Sequence, residues 1–112
     1  MNAPLPGTKY IIGWITLREG CEAEFDRIAE PYKVICRAEK ECRFFEMIRS
    51  REAPLTVFVC ESFDSEDAHT VHKGRQHMKD FWAELHRLAE VATFENVISR
   101  KIDPDTADFR AE

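Results

Sequence analysis

Two stretches of apolar residues recur with helical spacing, and stretches of extended character flank each of them. This order restricts the fold more than any single motif does. In the first stretch Phe25, Ile28, Ala29, Tyr32, Ile35 and Cys36 fall at i, i+3, i+4, i+7, i+10 and i+11, which predicts a helix over about 21–39. Gly20 stands before it, and Glu22, Glu24 and Asp26 lie where the positive end of the helix dipole favours acids. Pro31 falls inside the pattern and has no N–H for the carbonyl four residues back, so a kink or a break is expected there. The second stripe is Met78, Phe81, Trp82, Leu85, Leu88, Ala89 and Ala92. A shorter helix is expected before it, capped by Asp64 or Ser65 and closed by Gly74.

Four segments, 9–17, 43–50, 55–63 and 93–101, are rich in β-branched and aromatic residues and read as strands, with Ala53-Pro54 in the turn between the second and third. The order is β-α-β-β-α-β with the second helix split. It predicts an α+β domain of ferredoxin-like topology over 8–101, an antiparallel sheet with helices on one side. Residues 102–112 lack periodicity and read as a C-terminal tail. In the first strand Tyr10, Ile12 and Trp14 alternate against Ile11, Ile15 and Leu17, so both faces are apolar. A lone one-layer sheet has no use for that, and a second copy of the chain is the simplest cover, so a homodimer is expected.

Composition narrows the classes of partner. The chain has 112 residues, enough for one core, with 16 Lys and Arg against 21 Asp and Glu, a net charge of −5. That balance argues against nucleic acid, whose binders carry a basic stripe. No run approaches the roughly 20 apolar residues of a membrane span, and no basic-then-apolar leader is seen, so a cytoplasmic protein without membrane association is expected. The four cysteines, at 21, 36, 42 and 60, show no C-x-x-C spacing and are expected to be free thiols.

His69, His72 and His77 fall within nine residues, around the glycine joint. His69 and His72 share one helix face and, with Glu61, make a conceivable metal set. The spacing is not that of a His-Glu-x-x-His site, however, and neither a metal nor any other cofactor is expected. His69 and His86 read as solvated. His72 and His77 have two readings: a proton acceptor for a phenol near neutral pH, or a hydrogen-bonding pair that holds the joint. Aromatic residues such as Trp14, Phe63, Phe81 and Trp82 suit either a core or the walls of a flat ligand cavity. The isolated glycines provide no phosphate cradle.

The pattern as a whole resembles the antibiotic biosynthesis monooxygenase family of dimeric α+β-barrel proteins. The likeness rests on Thr16-Leu17-Arg18-Glu19-Gly20 entering the first helix and on Glu39-Lys40-Glu41-Cys42 entering the second strand. It continues through Phe58-Val59-Cys60-Glu61-Ser62-Phe63, Ser65-Glu66-Asp67-Ala68, His72, and His77-Met78-Lys79-Asp80-Phe81. The resemblance implies a homodimer whose two sheets face each other, with a ligand cleft between sheet and helices in each subunit. Some members oxidise quinols or polyphenols with O2 and neither metal nor flavin: the substrate anion reduces oxygen, while the protein supplies a dry pocket and a proton acceptor. Carried over by position, Glu61, Phe63, His72, His77 and Phe81 would line or support the cleft. A haem-degrading branch carries an Asn, a Trp and a haem-ligating His where this chain has Gly13, His72 and Trp82.

The leading expectation is therefore a cofactor-independent monooxygenase-like protein acting on a small aromatic quinol or phenol. His72 or His77 would be the proton acceptor, with Trp14, Glu61, Phe63, Phe81 and Trp82 around the substrate. The alternative is a non-catalytic dimeric binding or stress-response module for a small aromatic metabolite, and a haem or metal protein comes third.

Overall fold

The computed structural model describes residues 7–99; the tail expected at 102–112 lies outside the described residues. The elements are β1 (Lys9–Leu17), α1 (Glu22–Arg37), β2 (Cys42–Arg49), β3 (Thr56–Phe63), α2 (Glu66–Gly74), α3 (Gln76–Leu88) and β4 (Ala89–Ile98). The four strands form one antiparallel sheet in the order β2-β3-β1-β4. This is the ferredoxin-like arrangement expected from the periodicities.

The expected α+β barrel is not formed. β2 and β4 are the two edges of an open sheet, separated by β3 and β1, so no hydrogen bonds join them. Four strands are also about half the number that closes around a side-chain-filled interior. The barrel was implied by the family resemblance; the doubly apolar strands themselves require a cover for the open face, and closure is not the only way to provide one.

Odd-numbered residues of β1 and β3 face the helices. Ile11, Ile15, Leu17, Val57 and Val59 are buried there beneath Phe25, Ala29 and Cys36 of α1 and Phe81, Leu85 and Leu88 of α3. The opposite face stays open and apolar. Trp14 is 45% exposed, Ile48 54% and Val97 51%, with half-buried Ile12 and Phe58 between them. Among the described residues no helix is long and apolar enough to cross a membrane.

Local chemistry explains the element ends and corrects several expectations. Ser65 Oγ accepts the Ala68 N–H at 3.0 Å and starts α2, with Glu66 and Asp67 at its positive end. Gly20 adopts φ +85°, which its lack of a Cβ permits, and leads into α1. α1 runs unbroken through Pro31. Pro31 is exposed, so the carbonyl it leaves without a donor lies on the solvent side, where water can serve it. Gly74 is not a left-handed cap; the joint is made by Arg75 in extended conformation between α2 and α3. β4 begins at Ala89 rather than 93, because Ala89 and Ala92 pair with Leu17 and Ile15 across the sheet and do not extend the helical stripe. All four cysteines are free.

One close approach fixes β4 against β1. A Cβ built on Gly13 would meet Phe94 Cδ1 at 2.4 Å and the Thr93 carbonyl oxygen at 2.6 Å, so Phe94 lies across the strand where a side chain would otherwise stand. The position at which the haem-degrading branch carries an Asn is thus occupied here by an aromatic ring.

Candidate functional site

A cavity of about 190 Å³ lies between the sheet and the helices. Its walls are largely apolar, with Ile15, Phe45, Phe81, Trp82 and Phe94 among them, and its polar lining comes from Glu61 of β3, His69, His72 and Lys73 of α2, and Asn96 of β4. The alternation of β3 directs Glu61 to the helix face, although Val57, Val59 and Phe63 on that same face are apolar. His69 and His72 sit three residues apart on the buried side of α2, and Phe63 packs beneath both rings at 5.3 and 4.8 Å.

Behind His72, on the side away from Glu61, lies Glu39. It follows the end of α1, and its side chain is only 5% exposed. Its Oε2 is 2.8 Å from His72 Nδ1 and 3.1 Å from His77 Nε2, and its Oε1 is 2.7 Å from Arg75 Nε. Burial alone would push the Glu39 carboxyl up. The two imidazole hydrogen bonds outweigh it and hold the group below the usual carboxylate range. An ionised Glu39 accepts from both rings, so His72 carries its proton on Nδ1. Burial also keeps His72 below the ordinary histidine value against the pull of Glu39, which leaves its Nε2 lone pair turned toward Glu61 Oε1 at 3.7 Å.

Glu61 itself is pushed up to about 7, first by burial and then by the Glu39 charge. His69 is lowered to about 4 by burial and by Lys73 and Lys9, and its buried Nδ1 has no hydrogen-bond partner among the described residues. The cavity thus ends in two neutral imidazoles and one carboxyl group balanced between its charged and neutral forms.

The structure brings together some of the residues singled out in the sequence and separates others. Glu61, His72, Phe81 and Trp82 line the cavity. Phe63 is fully buried and supports the histidines from below. His77 is bound to Glu39 and borders a separate outer groove with Tyr32 and Phe81. Trp14 points to the open face of the sheet, edge-on to Phe58 at 5.8 Å, away from the cavity. His69, expected to be solvated, is 7% exposed, because α2 turns its 68–69–72 side inward. Sequence reasoning missed Glu39 altogether. It stands in the motif entering the second strand, but nothing in its neighbours signals that a fold brings two histidines to it.

A sequence model of the antibiotic biosynthesis monooxygenases matches residues 10–84, a span that includes Glu39, Glu61, His69, His72 and His77. The chain belongs to that family. No protein of curated function matches it. Among solved structures it is similar to a putative antibiotic biosynthesis monooxygenase from Caulobacter crescentus, at 19% identity and a TM-score of 0.78, over 88% of this chain and 94% of that one. It is also similar to SnoaB, a cofactor-independent oxygenase from Streptomyces nogalater, at 13% identity and a TM-score of 0.74, over 88% of this chain and 99% of that one. PA3566 from Pseudomonas aeruginosa is 16% identical with a TM-score of 0.78, over 87% and 98%. Identities this low establish the shared fold. The expectation of an oxidoreductase of the antibiotic biosynthesis monooxygenase type holds at the level of the family.

Proposed function

We propose that the protein oxidises a single-ring hydroquinone or related phenol with O2, without a cofactor, and that Glu61 and His72 act as one proton-accepting pair. The observation that carries this reading is the cavity itself, walled largely by apolar and aromatic side chains, into which Glu61 and His72 project 3.7 Å apart. The phenol proton passes to that pair, and the resulting phenolate gives an electron to O2. Recombination at a ring carbon forms a hydroperoxide, which loses water to leave a quinone. One oxygen atom enters the ring as a carbonyl and the other departs as water. Phe81 and Trp82 hold the ring, and the unpartnered Nδ1 of His69 is placed to meet a second substrate oxygen.

Size supports a single ring. An apolar cavity of about 150 Å³ is enough for benzene, so the 190 Å³ here favours one substituted ring over a fused polycycle. The net acidic charge favours such a small ligand over nucleic acid. Oxygen uptake by the purified protein is expected with methyl- or methoxy-substituted hydroquinones and not with tricyclic ones. Uptake no faster than in buffer across the single-ring panel, or binding seen only as a rise in melting temperature, would overturn the catalytic reading.

The open sheet face supports a homodimer, in which a second copy stacks its own open sheet on Trp14, Ile48, Phe58 and Val97 while each sheet keeps its free edges. Light scattering at micromolar concentration is expected to give twice the 13.1 kDa chain mass, and Trp14→Glu is expected to give the monomer. A monomeric wild type contradicts the assembly.

A further inference from the structure

We propose that Cys36 Sγ, the Glu39 carboxylate, His72 Nδ1 and His77 Nε2 form a binding site for one divalent transition-metal ion, zinc by its donor set. This goes beyond the oxidation reading and is tested without it: the two sites share the His72 ring, whose Nδ1 faces Glu39 and whose Nε2 faces Glu61 in the cavity, so a bound ion would occupy the resting rather than the oxidising form.

Placement is the first argument. One ligand atom from each of the four residues lies within 4.8 Å of all the others. They come from three separate elements: Cys36 from the last turn of α1 with Glu39 just beyond it, His72 from the end of α2, and His77 from the first turn of α3. Convergence from three helix ends is what a tetrahedral ion requires and what adjacent residues on one helix seldom achieve. Cys36 is fully buried, His72 is 1% exposed and Glu39 nearly as enclosed, whereas the His77 side chain at 24% leaves an approach from solvent.

Charge is the second. A thiolate and a carboxylate carry two negative charges and neutralise a divalent cation, and two neutral imidazoles complete a set that thiophilic, imidazole-favouring ions prefer. Binding breaks the Cys36 S–H bond, forms the sulfur–metal bond and releases one proton to solvent. His72 and His77 remain neutral and only exchange tautomers, so that the His72 proton moves from Nδ1 to Nε2.

The outer contacts are the third argument. Tyr32 stands one turn before Cys36 on α1, and both are buried. Arg75 Nε holds Glu39 Oε1 at 2.7 Å, leaving Oε2 for the ion. Glu61 lies 3.7 Å from His72 Nε2, where it can receive the relocated proton in the carboxylate–histidine–metal arrangement. Glu39 and His72 are thus each met by a second residue.

The test uses the full chain stripped with a chelator and titrated with Co²⁺, then Zn²⁺. The expected result is saturation at one equivalent, with the visible d–d bands of tetrahedral cobalt and a near-ultraviolet thiolate charge-transfer band, both erased by Zn²⁺. Cys36→Ser is expected to remove the charge-transfer band, while Cys60→Ser, on the other face of the sheet, leaves it. His77→Gln is expected to weaken Zn²⁺ binding at least about tenfold in competition with a chromophoric chelator. Absence of saturable one-to-one binding at micromolar metal, or a charge-transfer band that survives Cys36→Ser, overturns the site. If Cys36→Ser does not fold, an unchanged affinity in His77→Gln overturns it instead.

Discussion

Glu39→Ala, studied in the presence of a chelator, is expected to lower the unfolding free energy by about 3–5 kcal/mol, the range for removing one partner of a buried charged network. The size follows from what the carboxylate serves. It accepts hydrogen bonds from His72 and His77 and pairs with Arg75, and through them it ties the end of α1 to both α2 and α3. Alanine leaves a buried imidazole N–H with no acceptor and creates a void too enclosed for easy collapse. Glu39→Gln retains one carbonyl oxygen and is expected to lose less, because a single acceptor still reaches one of the two rings. Urea unfolding followed by tryptophan fluorescence gives both values. A loss below about 1 kcal/mol for Glu39→Ala would mean that water takes over the role of the carboxylate.

That residue also marks where sequence reading stops. The helical stripes and strands were legible because periodicity is a local property: each apolar residue at the right interval reports the face on which it lies. Ser65 was legible as a cap for the same reason. β4 was misplaced because Ala89 and Ala92 continue a helical interval as well as they fit a strand, and only their pairing with Leu17 and Ile15 decides. Glu39 could not be found in this way, since its partners lie 33 and 38 residues along the chain. His69 was read as solvated because polar residues on short helices usually are, whereas α2 buries its polar side over Phe63. What covers the open sheet face was illegible for a related reason. An apolar outer face demands a cover, yet the alternation that reveals the demand carries no information on what meets it.

The catalytic reading stands or falls on Glu61→Gln. The substitution keeps the shape and polarity of the side chain at the end of the cavity but removes its ability to take a proton. In chelator-treated protein it is expected to lower kcat for hydroquinone oxidation by about 10²- to 10⁴-fold, the usual contribution of a positioned acid–base group. KM is expected to change little, because the amide still fills the same space beside His72 and still offers a hydrogen bond to the substrate oxygen. His72→Ala is expected to cost as much alone, and the double variant scarcely more than either single one, since two groups that share one proton act as a unit. His77→Ala provides the contrast. Its ring reaches Glu39 from the outer groove and does not line the cavity, so its effect on kcat is expected to be at least tenfold smaller than that of His72→Ala, an order-of-magnitude margin set by the loss of orientation alone. Steady-state oxygen uptake on the best single-ring substrate measures all four. If the Glu61→Gln rate stays within about threefold of wild type, the carboxyl is a fixture of the wall and the proton goes elsewhere, as a Brønsted role of the stated size does not permit.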